Sequence, residues 1–309
     1  MMAVAIALPL AALAAAGCGL GPGRGLGDVS LTVTRDYGAE PVVAAKTDGV
    51  TESDTVMRVL DRNAEISTRY GGGFVQSIQG LEGEEGERPR DWFFYVNGVE
   101  STVGAADYPL HGGEAIWWDY RDWGAAMRVP AVVGSWPQPF TGGYEGRRRP
   151  VAVECRGGGS ACGVVRQRLE DAGVEVAAGA GTDEAIRVLV GPWPRVREDP
   201  AAAQIEDGPQ VSGVFADFSP GGPAGGPRCR LQPLDEMGDP VNAPGARSGL
   251  VAAFRRYDAP PTWVVTGCGD SGVAGAASAL DSGDLRDRYA VLVEAGGDVV
   301  PLPFPGEAR

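Results

Sequence analysis

Residues 91–120 read DWFFYVNGVESTVGAADYPLHGGEAIWWDY, the stretch where aromatic residues, turn glycines and strand-like alternation are most concentrated. WFFYV and VEST are two strand-forming runs joined by Asn97-Gly98, a dipeptide that takes the positive φ angles of a two-residue hairpin turn. Beyond them a loop closes at Gly112-Gly113, and Ala115 to Tyr120 reads as a further strand with β-branched and aromatic residues at its centre. Five of the seven tryptophans (Trp92, Trp117, Trp118, Trp123 and Trp136) lie between Trp92 and Tyr144. Such crowding makes either a dense small core or an aromatic ligand surface. Side chains alternate across a strand, so half of these aromatics are expected to point inward and the others to remain on an outer face.

Working outward, VSLTVTR (Val29 to Arg35) reads as an opening strand. Thr51 to Ala64 reads as a helix, with Val56, Val59 and Leu60 at helical spacing and Thr51 or Ser53 as its cap. FVQSIQGL (Phe74 to Leu81) alternates as a strand before the acidic run Glu82 to Glu87, which reads as a solvated hairpin tip. In this order the motifs resemble the C-terminal β-domain of the transcobalamin and intrinsic-factor family, and the bacterial transcobalamin-like domain of unknown function. The residues that carry the resemblance are Trp92, Tyr95, Gly104, Ala106, Asp107, Tyr108, Gly113, Glu114 and Ile116, and it extends over about residues 28–123. It implies a β-grasp-like fold with one helix. It also implies a corrinoid such as cobalamin as ligand, held by Trp92, Tyr95, Asn97, Tyr108, Trp117, Trp118 and Tyr120. In that family the β-domain supplies half of a clamp, so the resemblance further implies a helical partner protein and delivery to an uptake transporter.

The balance of 27 basic against 41 acidic side chains gives a net charge of −14, which opposes a phosphate backbone and excludes nucleic acid as the expected partner. Residues 1–23 carry no charge, and MMAVAIALPLAALAAAGC ends in small residues before Cys18. That ending is similar to the lipobox of a bacterial lipoprotein, with Cys18 as the lipidated residue. An uncleaved anchor helix, which needs about 20 apolar residues, is the alternative. Either way the bulk of the chain is expected outside the cytoplasm. Cys155, Cys162, Cys229 and Cys268 are an even set in an exported chain and favour two disulfides, with Cys155–Cys162 and Cys229–Cys268 the preferred pairing. Their spacings are not those of a zinc knuckle, and no metal site is expected.

Four segments follow: a lipoprotein signal and tether over 1–27, a transcobalamin-like β-grasp domain over 28–123, a Pro/Gly-rich connector over 124–149, and a second domain over 150–309. In the last, Val151–Cys155, Val174–Ala178, Ile186–Val190, Val211–Phe218, Leu250–Arg256, Thr262–Gly267 and Tyr289–Val293 read as strands. Ser160–Ala172, Val196–Ile205 (bent at Pro200) and Val273–Leu280 read as helices. Pro220–Pro227 reads as a loop. The fold class expected is α+β, a β-grasp-like domain followed by an α/β domain. CGDSGV (Cys268 to Val273) has the local pattern of a serine-protease nucleophile, yet the sole histidine, His111, lies in the aromatic loop, so a strand-to-helix turn capped by Asp270 or Ser271 is the better reading. The expected function is that of an exported, non-catalytic ligand-binding component. The alternative is a structural or adhesive cell-envelope recognition module.

Overall fold

The computed structural model describes residue 21 and residues 23–157, 159–177, 182–220, 229–241 and 248–305. Cys18 with its apolar run, Ala178 and nearly all of the Pro220–Pro227 stretch lie outside the described residues. The alternation of the N-terminal third produces strands β1 (Gly25–Arg35) and β2 (Glu40–Thr51), helix α1 (Val56–Asn63), and strands β3 (Ile66–Arg69), β4 (Phe74–Ile78), β5 (Leu81–Glu82), β6 (Arg90–Val96), β7 (Val99–Glu100) and β8 (Ala115–Asp122). Asn97 and Gly98 take φ angles of 53° and 75° and join β6 to β7 as the expected two-residue hairpin. The helix is shorter than the sequence implies. Thr55, rather than Thr51 or Ser53, caps it by accepting from the Arg58 amide at 3.3 Å, because Asp54 turns back to accept from Thr51 N at 2.8 Å.

These strands form a five-stranded sheet in the order β2-β1-β8-β6-β7, with β1 and β8 parallel and the other neighbours antiparallel. A separate three-stranded sheet, β3-β4-β5, sits beside it. One face of the larger sheet carries Leu31, Val33, Trp92, Val96, Ile116, Trp118 and Tyr120, which pack with Val56, Val59 and Leu60 of α1 in one apolar core.

Residues 124–150 lead to β9 (Val151–Cys155), α2 (Ala161–Asp171), β10 (Ile186–Pro192), α3 (Trp193–Val196), α4 (Pro209–Ser212), β11 (Ala216–Pro220), β12 (Cys229–Pro233), β13 (Gly249–Phe254), β14 (Thr262–Gly267), α5 (Asp270–Ser278), α6 (Ser282–Leu285), β15 (Ala290–Val293) and β16 (Val299–Leu302). Six of these strands make a second sheet in the order β16-β15-β13-β14-β10-β9, in which only β9, β10 and β14 run parallel. β11 and β12 form a two-stranded ribbon.

The α+β reading, with an α/β C-terminal domain, is therefore corrected. The fold is β-rich with several sheets, and among the described residues only α1, α2 and α5 reach eight residues. The alternation failed at identifiable places. Val196–Ile205 does not form a helix: α3 stops at Val196, Pro200 intervenes, and a 3-10 turn takes over from Ala202. Val174–Ala178 contributes a single bridge, Val176 with Val151, and Val211–Phe218 splits into the end of α4 and the start of β11. Gly269, with no side-chain cap, starts α5 in place of the expected Asp270 or Ser271 cap.

The disulfides are Cys155–Cys162 and Cys229–Cys268, with Cα atoms 5.9 and 5.3 Å apart. They fit an oxidising compartment outside the cytoplasm. No helix among the described residues is long and apolar enough to cross a membrane.

Candidate functional site

Strands β6 and β8 fix where the aromatic residues go. Their outer face, expected to stay open, carries Phe93 and Tyr95 from β6 and Trp117, Asp119 and Arg121 from β8, and it is covered by the second half of the chain. Tyr95 and Trp117 belong to the same buried cluster as Trp193, Phe215, Leu231, Phe254 and Tyr289. Tyr289 stands edge-on to Tyr37, Tyr95 and Trp117, with ring centres 5.0, 5.7 and 5.3 Å away. Glycines make the close approach feasible: a Cβ on Gly134 would lie 2.8 Å from the Trp117 ring and 2.6 Å from the Arg288 amide nitrogen.

A polar network runs through this covered face. Asp119 accepts from Thr34 Oγ1 at 2.5 Å, from Tyr289 OH at 3.0 Å and from the Gly38 amide at 3.1 Å, while Trp117 Nε1 donates to Thr34 Oγ1 at 2.8 Å. Burial pushes the Asp119 carboxyl up to about 6, against the hydrogen bonds that favour its charged form. Arg121 lies 3.8 Å over the Phe93 ring and donates to the carbonyls of Asp122, Ala126 and Met127 at 3.2, 2.7 and 3.0 Å. Of these contacts, the Tyr289 OH to Asp119 bond joins the two halves, whereas Arg121 ties β8 to the segment that follows it.

The expected ligand residues are accounted for one by one, and all seven are buried. Trp92, Trp118 and Tyr120 lie on the α1 side, where Trp92 Nε1 donates to Leu81 O at 2.9 Å and Tyr120 OH to Glu82 O at 2.6 Å. Tyr108 closes the same core and donates to Glu114 Oε1 at 3.2 Å. Asn97 holds the hairpin in place, donating to Gly143 O at 2.8 Å and accepting from Ala115 N at 2.9 Å. Tyr95 and Trp117 lie under Tyr289. The expectation of an open aromatic face is thus corrected, because that face became an internal contact. His111 Nδ1 lies 3.3 Å from Glu114 Oε1, whereas Ser271 of the CGDSGV motif lines a cavity between α5 and the β15–β16 turn, so the two do not share a site.

The aromatics left exposed lie elsewhere. Between β3 and β4 the chain turns through Tyr70-Gly71-Gly72-Gly73, with Tyr70, Gly71 and Gly72 at φ 55°, 71° and 95°. Tyr70 is 87% exposed and Phe74 43%, and their rings meet edge-on with centres 6.3 Å apart. A left-handed conformation costs an ordinary residue roughly 1–2 kcal/mol, and an exposed Tyr70 recovers little of that by packing. The turn reaches, through Gly72, a groove of about 240 Å³ that is otherwise lined by Met57, Arg58, Asp61, Ile66 and Thr68. The loop bearing exposed Val103 adjoins the turn: a Cβ on Gly104 would lie 3.8 Å from Gly73 O, and Met57 N donates to Ala105 O at 2.9 Å. The sequence signal is RYGGGF, two aromatics flanking three glycines, and of the two aromatics only Phe74 falls in the strand expected over Phe74 to Leu81.

A family model described as a domain of unknown function (DUF4430) matches residues 53–122, which span α1, the β3–β4 turn and the aromatic strands. Among curated proteins, none matches the chain. One solved structure, described as a putative metal binding protein from Ruminococcus gnavus ATCC 29149, is 15% identical, with 31% of this chain and 97% of that one covered and a TM-score of 0.26. Among the described residues, no group of three or more His, Cys, Asp or Glu is arranged to hold a metal ion.

Proposed function

We propose that this chain is an exported, non-catalytic binding component, tethered through a lipidated Cys18, whose contact surface is the Tyr70–Phe74 turn and the groove that adjoins it at Gly72. The observation that carries the reading is the exposed pair Tyr70 and Phe74, held on a strained turn beside a cavity, while the Trp-rich strands are buried. The transcobalamin resemblance makes a corrinoid the ligand to test. An aromatic edge contacts a planar macrocycle on one side only, and a helical partner would then supply the opposite side.

The second reading, a cell-envelope recognition module, draws on the size of the groove. At about 240 Å³ it falls below the roughly 300–1,000 Å³ of sites that enclose a small molecule. A shallow aromatic surface of that size suits an extended chain of another macromolecule.

Calorimetric titration of the full chain with cobalamin separates the two. The corrinoid reading expects binding no tighter than roughly micromolar, about −8 kcal/mol, because half a clamp covers half a ligand. Absence of heat at millimolar cobalamin, with and without a helical partner, removes the corrinoid and leaves the envelope reading. Binding that is indifferent to Tyr70→Ala and Phe74→Ala contradicts the assigned surface.

A further inference from the structure

In a chain of net charge −14, the run EGRRRP (Glu145 to Pro150) concentrates three consecutive arginines. It sits on a two-residue turn: Tyr144 N donates to Arg147 O at 3.1 Å, Arg147 N to Tyr144 O at 3.0 Å, and Glu145 and Gly146 take φ angles of 52° and 69°. Arg147 and Arg148 are exposed and Arg149 is half-buried.

A second basic segment, the turn after β13, is held against the first. Arg255 donates to Glu145 Oε1 at 3.2 Å, and the guanidinium groups of Arg149 and Arg255 each lie 5.1 Å from the centre of the Tyr144 ring. The next residues are Arg256, which is exposed, and Tyr257, 86% exposed with the Arg256 guanidinium 5.6 Å from its ring centre. Glu145 is engaged by Arg255, and Asp258 is the other carboxylate of these two segments.

Gly146 packs directly against the His111 imidazole, Gly112 of the same loop packs against the Leu26 backbone, and Gly113 N donates to Asp28 O at 2.9 Å. The arginine turn, the His111 loop and the start of β1 are therefore adjacent, and from the start of β1 the chain leads back to the uncharged apolar residues 1–23. Of the carboxylates near the start of β1, Asp28 pairs with Lys46 at 2.6 Å and Glu52 with Arg24 at 2.8 Å, while Asp48 beside Asp28 is exposed.

We propose that Arg147, Arg148, Arg149 and Arg256, with Tyr257, form a docking surface for the anionic phospholipid headgroups of a membrane, on the side where the chain leads to its N-terminal apolar run. The orientation rests on the tethered reading above; the charge does not. Guanidinium forks match phosphate oxygens, an exposed tyrosine suits the headgroup layer, and each arginine near an anionic surface adds roughly fivefold to partitioning. The acidic remainder of the surface is repelled by the same membrane, which fixes one orientation.

The test uses the full chain with vesicles of phosphatidylcholine alone or mixed with phosphatidylglycerol, at low and high salt. Flotation with the neutral vesicles reads the tether. Amide hydrogen exchange over residues 144–149 and 255–259 reads the arginine surface. Exchange there is expected to slow several-fold on anionic relative to neutral vesicles and to recover at high salt. The variant Arg147→Gln/Arg148→Gln/Arg256→Gln, with an unchanged melting temperature, should lose that protection and about a hundredfold of any anionic partitioning. A chain that binds anionic but not neutral vesicles removes the tether and supports the arginine surface. Equal exchange on both vesicle types, or protection that persists in the triple variant, overturns the proposal.

Discussion

The aromatic strands β6 and β8 and the β3–β4 turn belong to the same third of the chain, yet their aromatics have opposite fates. Trp92, Tyr95, Trp117, Trp118 and Tyr120 are buried on both faces of one sheet, whereas Tyr70 and Phe74 stand in solvent around three glycines. Aromatic density here records how many surfaces a strand must cover. A sheet with α1 on one side and a second sheet's elements on the other needs large side chains at every position. A lone aromatic pair beside a strained turn has no packing that accounts for it.

Substitution should separate the two regions most strongly through stability. Trp117→Ala removes a buried ring that contacts Tyr95 and Tyr289 and the hydrogen bond to Thr34, and should cost about 3–5 kcal/mol in urea unfolding. Tyr70→Ala should stay within about 0.5 kcal/mol. A comparable loss at both positions would show Tyr70 to be as much a packing residue as Trp117.

The next effect is in pH. Burial raises the folded-state Asp119 carboxyl from 3.8 to about 6, so its contribution to stability is fully present below about pH 3.8 and lost as pH rises through 6. The size is about 3 kcal/mol. Asp119→Asn should flatten the stability profile between these limits, as measured by unfolding across pH 4–7. An unchanged slope would place the titration elsewhere. In the rim, Tyr70→Ala and Phe74→Ala should each weaken ligand binding by about 1–3 kcal/mol in calorimetry without lowering the melting temperature. The smallest expected effect is a gain of about 0.5–1 kcal/mol for Tyr70→Gly, since glycine accepts the φ of 55° without the Cβ conflict.

Much of this was legible in the sequence. Alternation placed β1, β6 and β8, Asn97-Gly98 gave the hairpin, and the even cysteine set gave the number of disulfides, whose observed pairing is the preferred one. Burial of the outer face was not legible, because period-two alternation shows that Trp117 and Trp118 point oppositely but not that Tyr289, 170 residues beyond Asp119, covers one side. The α/β reading failed for a related reason. Short apolar runs such as Val211–Phe218 do not reveal whether a Gly-Pro turn will interrupt them, as Gly208-Pro209 does by starting α4. For Tyr70 the legible signal is a turn, from RYGGGF, but a tyrosine before three glycines does not announce its positive φ.

Ligand-dependent amide hydrogen exchange on the full chain, with cobalamin as the first probe and envelope polymers as the second, locates the contact surface directly. Protection is expected over residues 66–74 and 101–105, abolished in Tyr70→Ala, with exchange in β6 and β8 already slow and unaltered by ligand. Protection that appears in residues 92–97 and 115–122 and survives Tyr70→Ala would contradict it, and would return the binding site to the aromatic strands.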